Sequence, residues 1–194
     1  MKKIAITGGI GSGKSTVSEI IRKMGYVVVS ADKVYSELLL NEDFVKEICD
    51  LMNISPIEKD GRITIDRKAI SALVFSDKTQ LLRLNDFTHP RIMDEIFRRS
   101  EGVEPLFFAE VPLLFERGYE TEFDNVFVVR RQFDLRLSGT AKRDGKTEAE
   151  IRKVIDNQFD YEGNKSGYKS IIIENNGTIH ELETEVLEAV KRLL

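Results

Sequence analysis

The chain has 194 residues, 41% hydrophobic and 32% charged, with 29 basic and 33 acidic side chains giving a net charge of −4. That length holds one large domain or a core with insertions, and that balance excludes both a disordered chain and a global pull toward nucleic acid, so an anionic ligand has to be held by local cations. The longest apolar runs, such as Leu38–Leu40 and Ile171–Ile173, fall far short of the roughly 20 residues of a membrane span. Lys2 and Lys3 lead straight into the first apolar run with no leader segment, so a cytoplasmic protein without membrane or nucleic-acid partners is expected, a monomer or weak homo-oligomer. Cys49 is the only cysteine, which rules out an intramolecular disulfide and a cysteine-cluster zinc site. It is expected to be a small buried hydrophobe on a helix.

The run Ile4–Ile6 reads as the first strand and Ser15–Met24 as the first helix. Between them Gly8, Gly13, Lys14 and Ser15 fit the pattern G-x-x-x-x-G-K-[ST]. Small residues let the backbone from Gly9 through Ile10, Gly11 and Ser12 to Gly13 curl, so that its N–H groups and the following helix N-terminus, at Ser15 and Thr16, meet phosphate oxygens. In such a loop Lys14 reaches the β- and γ-phosphates of ATP, and the Ser15 hydroxyl is a ligand for Mg2+. A glycine-rich turn that binds nothing would not need that lysine.

Four further runs, Tyr26–Ser30, Leu106–Val111, Asn125–Val129 and Ser170–Glu174, read as buried strands separated by helical patterns. Continuous rather than alternating apolar runs point to a five-stranded, doubly wound parallel α/β sheet covered on both faces. About 75 residues separate the second strand from the third, more than one crossover helix needs. That stretch has helical periodicity at 43–52, 66–75 and 78–99, with a turn at Lys59-Asp60-Gly61, and reads as a helical insertion at about 32–103. A second insertion, at about 131–167, is rich in Arg, Lys, Asp and Glu. The core is then 1–31, 104–130 and 168–194, closed by a helix over 178–194 with Ile179, Leu182, Val186, Leu187, Val190 and Leu194 at core spacing.

Ligands of open α/β sheets sit beyond the strand carboxyl ends, so the residues there are the candidates. After the second strand comes Asp32, which either accepts a proton from a substrate hydroxyl or caps a helix starting near Lys33. The third ends at Glu110, a carboxylate suited to hold the water ligands of Mg2+, ahead of Pro112-Leu113-Leu114-Phe115-Glu116. Arg130, Arg131, Arg136, Lys142 and Arg143 follow the fourth and suit a lid that neutralises a transferring phosphoryl group.

Taken together, Thr7–Thr16, Ala31-Asp32, His89-Pro90, Pro112–Glu116, Arg143-Asp144-Gly145, Gln158 and Asn175-Asn176-Gly177 resemble the dephospho-coenzyme A kinases, in that family's order and over nearly the whole chain. The resemblance implies transfer of the γ-phosphoryl group of ATP to the 3′-hydroxyl of dephospho-CoA, with Mg2+. It implies that Asp32 is the base or orienting carboxylate, that Lys14 and Arg143 assist transfer, and that the first insertion is the CoA-side domain. His89, Leu114 and Glu116 would then meet the acceptor, Arg136 the nucleotide, and Asn175 and Gly177 would border its adenine. Two departures stand out: Ser30 replaces the acidic residue usual two before Asp32, and Arg136 and Arg143 are seven apart where the family more often has two arginines four apart.

Another small-molecule kinase would use the same loop, carboxylate and lid. A guanine-nucleotide switch would carry Asn-Lys-x-Asp, and Asn164-Lys165-Ser166-Gly167 lacks the aspartate.

Overall fold

The computed structural model describes residues 1–156, 158–161 and 168–194, and these divide into two units, Met1–Ser30 with Gly102–Leu194, and Ala31–Glu101. The first unit opens with β1 (Lys2–Thr7), α1 (Lys14–Lys23) and β2 (Val27–Ser30). Helix α1 follows Gly13, which sits at φ 97, and buries Val17, Ile20 and Ile21 on one face, with Arg22 and Lys23 in the last turn, where cations complement the helix dipole.

The unit Ala31–Glu101 comprises α2 (Ala31–Leu38), α3 (Glu42–Met52), the short strands β3 (Ile57–Lys59) and β4 (Arg62–Thr64), α4 (Arg67–Ser76) and α5 (Lys78–Ser100). Asn41, Asp66 and Asp77 cap α3, α4 and α5 by accepting backbone N–H groups of the first turn. The predicted turn at Lys59-Asp60-Gly61 joins an antiparallel hairpin, with Asp60 and Gly61 both at positive φ as a type I′ connection requires. The strands themselves went unpredicted, because no residue of β3 is buried and exposed strands show no alternation. Phe44, Val45, Ile48, Cys49, Met52, Ile65, Ile70 and Leu84 form the core of this unit. Cys49 is buried on α3, as expected.

The chain then continues in the first unit with β5 (Leu106–Glu110), a 3-10 turn at Tyr119–Glu122, β6 (Asn125–Arg130), α6 (Phe133–Asp144), α7 (Glu148–Asp156), β7 (Ser170–Glu174) and α8 (Ile179–Lys191). The five long strands form one parallel sheet in the order β2-β5-β1-β6-β7, the doubly wound arrangement expected. Only the inner strands are continuously buried. At the edges, Val27 of β2 and Ile172 of β7 are exposed, so the two-faced burial read from the apolar runs holds for the centre. On α8 the buried stripe is Leu182, Val186, Ala189 and Val190, continued by Leu193 beyond it. Ile179, Leu187 and Leu194 face solvent instead: a helix shows the core only a limited arc, and that stripe already fills it. Against it pack Ile4 and Ile6 of β1 and Val17, Ile20 and Ile21 of α1, which makes β1 the axis on which the following loop is mounted.

Candidate active site

Strand order reverses at β1, between β5 and β6, so the crevice outside its carboxyl end is the natural ligand site of this sheet. The glycine-rich loop leaves β1 there. Ser12 N–H donates to the Gly9 carbonyl at 3.2 Å, and Lys14 Nζ folds across the loop to the carbonyls of Gly8 (2.8 Å) and Gly9 (3.2 Å). Side chains cannot be added inside the ring. A Cβ on Gly9, Gly11 or Gly13 would fall 2.3, 2.3 and 2.1 Å from Arg136 Nη2, Thr140 Oγ1 and Asn175 Nδ2. Two buried hydroxyls beside it, Ser12 Oγ and Thr140 Oγ1, have no hydrogen-bond partner among the described residues. A concavity of small residues, backbone amides, one lysine and spare hydroxyls fits an anion such as a polyphosphate.

The end of β5 completes the site. Register pairs Ile6 of β1 with Glu110, which delivers that carboxylate, only 7% exposed, to the start of α1. Ser15 Oγ donates to Glu110 Oε1 at 2.8 Å and Ser18 Oγ to Oε2 at 2.9 Å. Ser18 is one helical turn beyond Ser15, a spacing legible in the sequence but not drawn upon there. The donor set offered by Ser15 and Glu110 is oxygen only, which suits Mg2+ rather than a softer metal.

Several side chains grip the loop from outside. Arg136, nearly buried on α6, donates from Nε to the Ile10 carbonyl at 3.0 Å, and Gln158 Oε1 accepts the Ile10 N–H at 2.8 Å. Asn175 Nδ2 donates to the Ser12 carbonyl at 2.8 Å, and Gly177 abuts the capping box of α8, Thr178 with Glu181. Of Arg136 and Arg143, then, Arg136 meets the loop. Arg143 turns to its neighbour Asp144 at 2.7 Å, an exposed pair that raises the guanidinium's pKa and lowers the carboxyl's, mainly through their hydrogen bonds. Among its described residues the stretch 131–167 holds α6 and α7, whose bounds periodicity did not set, and its residues 157 and 162–167, with Asn164-Lys165-Ser166-Gly167, lie outside the described residues.

On the β5 side, Leu114 is buried, and the exposed Glu116 accepts from Tyr161 Oη at 3.2 Å and from the Phe159 N–H at 3.3 Å. Burial pushes the Tyr161 phenol above its ordinary range; a hydrogen bond with Thr7 opposes the shift and the Glu116 carboxylate adds to it. Phe115 and Phe159 stack beside this pair and Tyr161 packs tilted or edge-on against them, with centroids 5.0 to 6.0 Å apart.

Asp32 and His89 belong to the unit Ala31–Glu101. Helix α2 begins at Ala31, so Asp32 lies exposed inside its first turn and is not a cap ahead of Lys33. His89 stands mid-helix in α5, beside Pro90. Arg99 ties these two helices together, bonding Glu37 of α2 and, at 2.7 Å, Glu95 of α5.

The sequence model of the dephospho-CoA kinases matches residues 2–181. The chain belongs to the dephospho-CoA kinase family. A dephospho-CoA kinase of Corynebacterium glutamicum is 31% identical, over all of this chain and 98% of that protein. Among solved structures, TT1252 from Thermus thermophilus is 32% identical with a TM-score of 0.83, covering 100% of this chain and 97% of that one. A dephospho-CoA kinase from Campylobacter jejuni is 28% identical with a TM-score of 0.69, covering 98% and 96%. Dephospho-CoA kinases move a phosphate group from ATP to dephospho-CoA, and a loop of the kind built around Lys14 is the part of such an enzyme that takes the nucleotide. Among the described residues no helix is long and apolar enough to cross a membrane.

Proposed function

We propose that the chain transfers the γ-phosphoryl group of ATP to the ribose 3′-hydroxyl of dephospho-CoA, giving coenzyme A and ADP. The new bond joins the 3′-oxygen to the γ-phosphorus, the bond from that phosphorus to the β,γ-bridging oxygen breaks, and the hydroxyl proton passes to Asp32. The loop from Gly9 to Thr16, through those amides that are not already bonded within the protein as Ile10, Ser12 and Thr16 are, holds the β- and γ-phosphates together with the Lys14 ammonium, while Ser15 and Glu110 would hold Mg2+. Held there, the ion would supply positive charge to offset that developing on the leaving group. Arg136, with Arg143, neutralises the phosphoryl oxygens during transfer, and Asn175 and Gly177 border the adenine of ATP. His89, Leu114 and Glu116 contact the acceptor, with the first insertion as the CoA-side domain and the segment 131–167 as the lid. The enzyme works on this small molecule in the cytoplasm, as a monomer or weak homo-oligomer and without nucleic acid.

What supports this reading most is the Ser15–Glu110 hydrogen bond of 2.8 Å at the mouth of the loop, an oxygen pair suited to magnesium beside a built phosphate cradle. The test is ADP release from Mg·ATP with dephospho-CoA, adenosine, AMP or shikimate as acceptor, and the product's mass. Stimulation by dephospho-CoA with a product one phosphate heavier is expected. Stimulation by another acceptor alone would reassign the substrate, and hydrolysis indifferent to acceptor would point to a nucleotide switch.

A further inference from the structure

Ile10, at the tip of the phosphate loop, is gripped on both sides. Its N–H donates to Gln158 Oε1 at 2.8 Å, across 148 residues of sequence, and its carbonyl accepts Arg136 Nε at 3.0 Å. Gln158 is itself anchored, since its backbone N–H donates to the Ile155 carbonyl at the end of α7 at 3.1 Å. The grip matters because of the shape of the loop. Residues Gly9–Ser12 form a turn closed by the Ser12 N–H, with Gly11 in third position at φ 73, as a type II turn requires. Type I and type II turns differ chiefly by a flip of the central peptide, here Ile10–Gly11. Arg136 holds that peptide by its carbonyl, and Gln158 holds the preceding one, Gly9–Ile10, by its N–H. With both fixed, the loop cannot trade one turn for the other.

We propose that Gln158 is a positioning residue for phosphoryl transfer, acting through the Ile10 peptide to keep the loop in the form that receives ATP. The proposal rests on the reading of the loop as the ATP site. Gln158 touches no reacting atom. Its contribution is to prevent the loop from populating conformations whose amides do not converge, and each such conformation lowers apparent ATP affinity by the fraction it occupies.

Three measurements on parent, Gln158→Met and Gln158→Glu test it: Mg·ATP affinity by calorimetry, hydrogen exchange of the Ile10 amide by NMR, and KM for dephospho-CoA. Methionine keeps the length of the side chain and lacks the strong acceptor; glutamate keeps an acceptor at the same reach. Gln158→Met is expected to bind Mg·ATP about tenfold more weakly, the size of one neutral hydrogen bond, and to expose the Ile10 amide to faster exchange. KM for dephospho-CoA should stay within about twofold, because the grip bears on the nucleotide loop alone. Gln158→Glu should restore Ile10 protection and most of the affinity. Parent-like ATP affinity in Gln158→Met would overturn the proposal, as would lost affinity with unchanged Ile10 exchange. A parent protein that fails to bind Mg·ATP would overturn the loop assignment itself. If Gln158→Met does not fold, Gln158→Asn, one methylene short of Ile10, serves for the same comparison.

Discussion

Replacing Gly11 by alanine tests whether α6 presses on the phosphate loop. Gly11 lies at φ 73, and a Cβ there would meet Thr140 Oγ1 at 2.3 Å, the Arg136 carbonyl oxygen at 3.0 Å and Arg136 Cα at 3.3 Å. A left-handed backbone costs a non-glycine residue about 1–2 kcal/mol. The Thr140 hydroxyl can rotate aside, but the Arg136 atoms are helix backbone, so α6 itself has to shift, and overpacking of that kind adds about 1–3 kcal/mol. The sum, about 2–5 kcal/mol at roughly 2–4 °C per kcal/mol for a chain of this size, predicts a Tm lower by about 4–20 °C. Gly118 supplies the control: it lies at φ 70 with nothing within 4 Å of its Cβ position, so Gly118→Ala should lose the backbone part alone, about 1–2 kcal/mol. The assay is urea unfolding of both variants side by side, with Mg·ATP titrated into each. Losses equal to within about 0.5 kcal/mol would refute the reasoning, because only a contact with α6 distinguishes the two sites.

Asp32→Asn should leave Mg·ATP affinity nearly intact and lower turnover with dephospho-CoA by orders of magnitude, and parent-like turnover would remove Asp32 from the mechanism. Glu95 is held down from its ordinary 4.5 to about 2, first by its hydrogen bond with Arg98 and then by Arg99, against some opposing desolvation. A carboxylate depressed in the folded state contributes stability that is present above its unfolded pKa and is lost as pH falls toward the folded one. Acid unfolding of Glu95→Gln should therefore be flatter than the parent's between pH 4.5 and about 2, and parallel curves would mean that these arginines do not hold the charge.

Local features were legible in the sequence and long-range ones were not. The loop, its lysine and Ser15 announce themselves because the glycines are adjacent in sequence and the reason for each is the backbone beside it. Glu110 was found because parallel strands end together, so the last acidic residue of β5 arrives at the mouth of the β1 loop. The bounds of helix α6 were not legible because its inward face carries, beside Leu137, the buried polar residues Arg136 and Thr140, which break the apolar period. Spacing alone does not say where Arg136 and Arg143 point: in the fold Arg143 bonds its neighbour Asp144 and Arg136 reaches the loop. Gln158 could be noted as part of a resemblance, but nothing local to it indicates a partner 148 residues away.

Cys49 turns one packing detail into a tool. It is the chain's only thiol, it is 1% exposed on α3 inside the core of the unit Ala31–Glu101, and burial, helped by Asp50, raises its pKa. A thiol reagent can reach it only when that unit opens. Its labelling rate is thus a native reporter of opening in the unit Ala31–Glu101, with no cysteine introduced for the purpose.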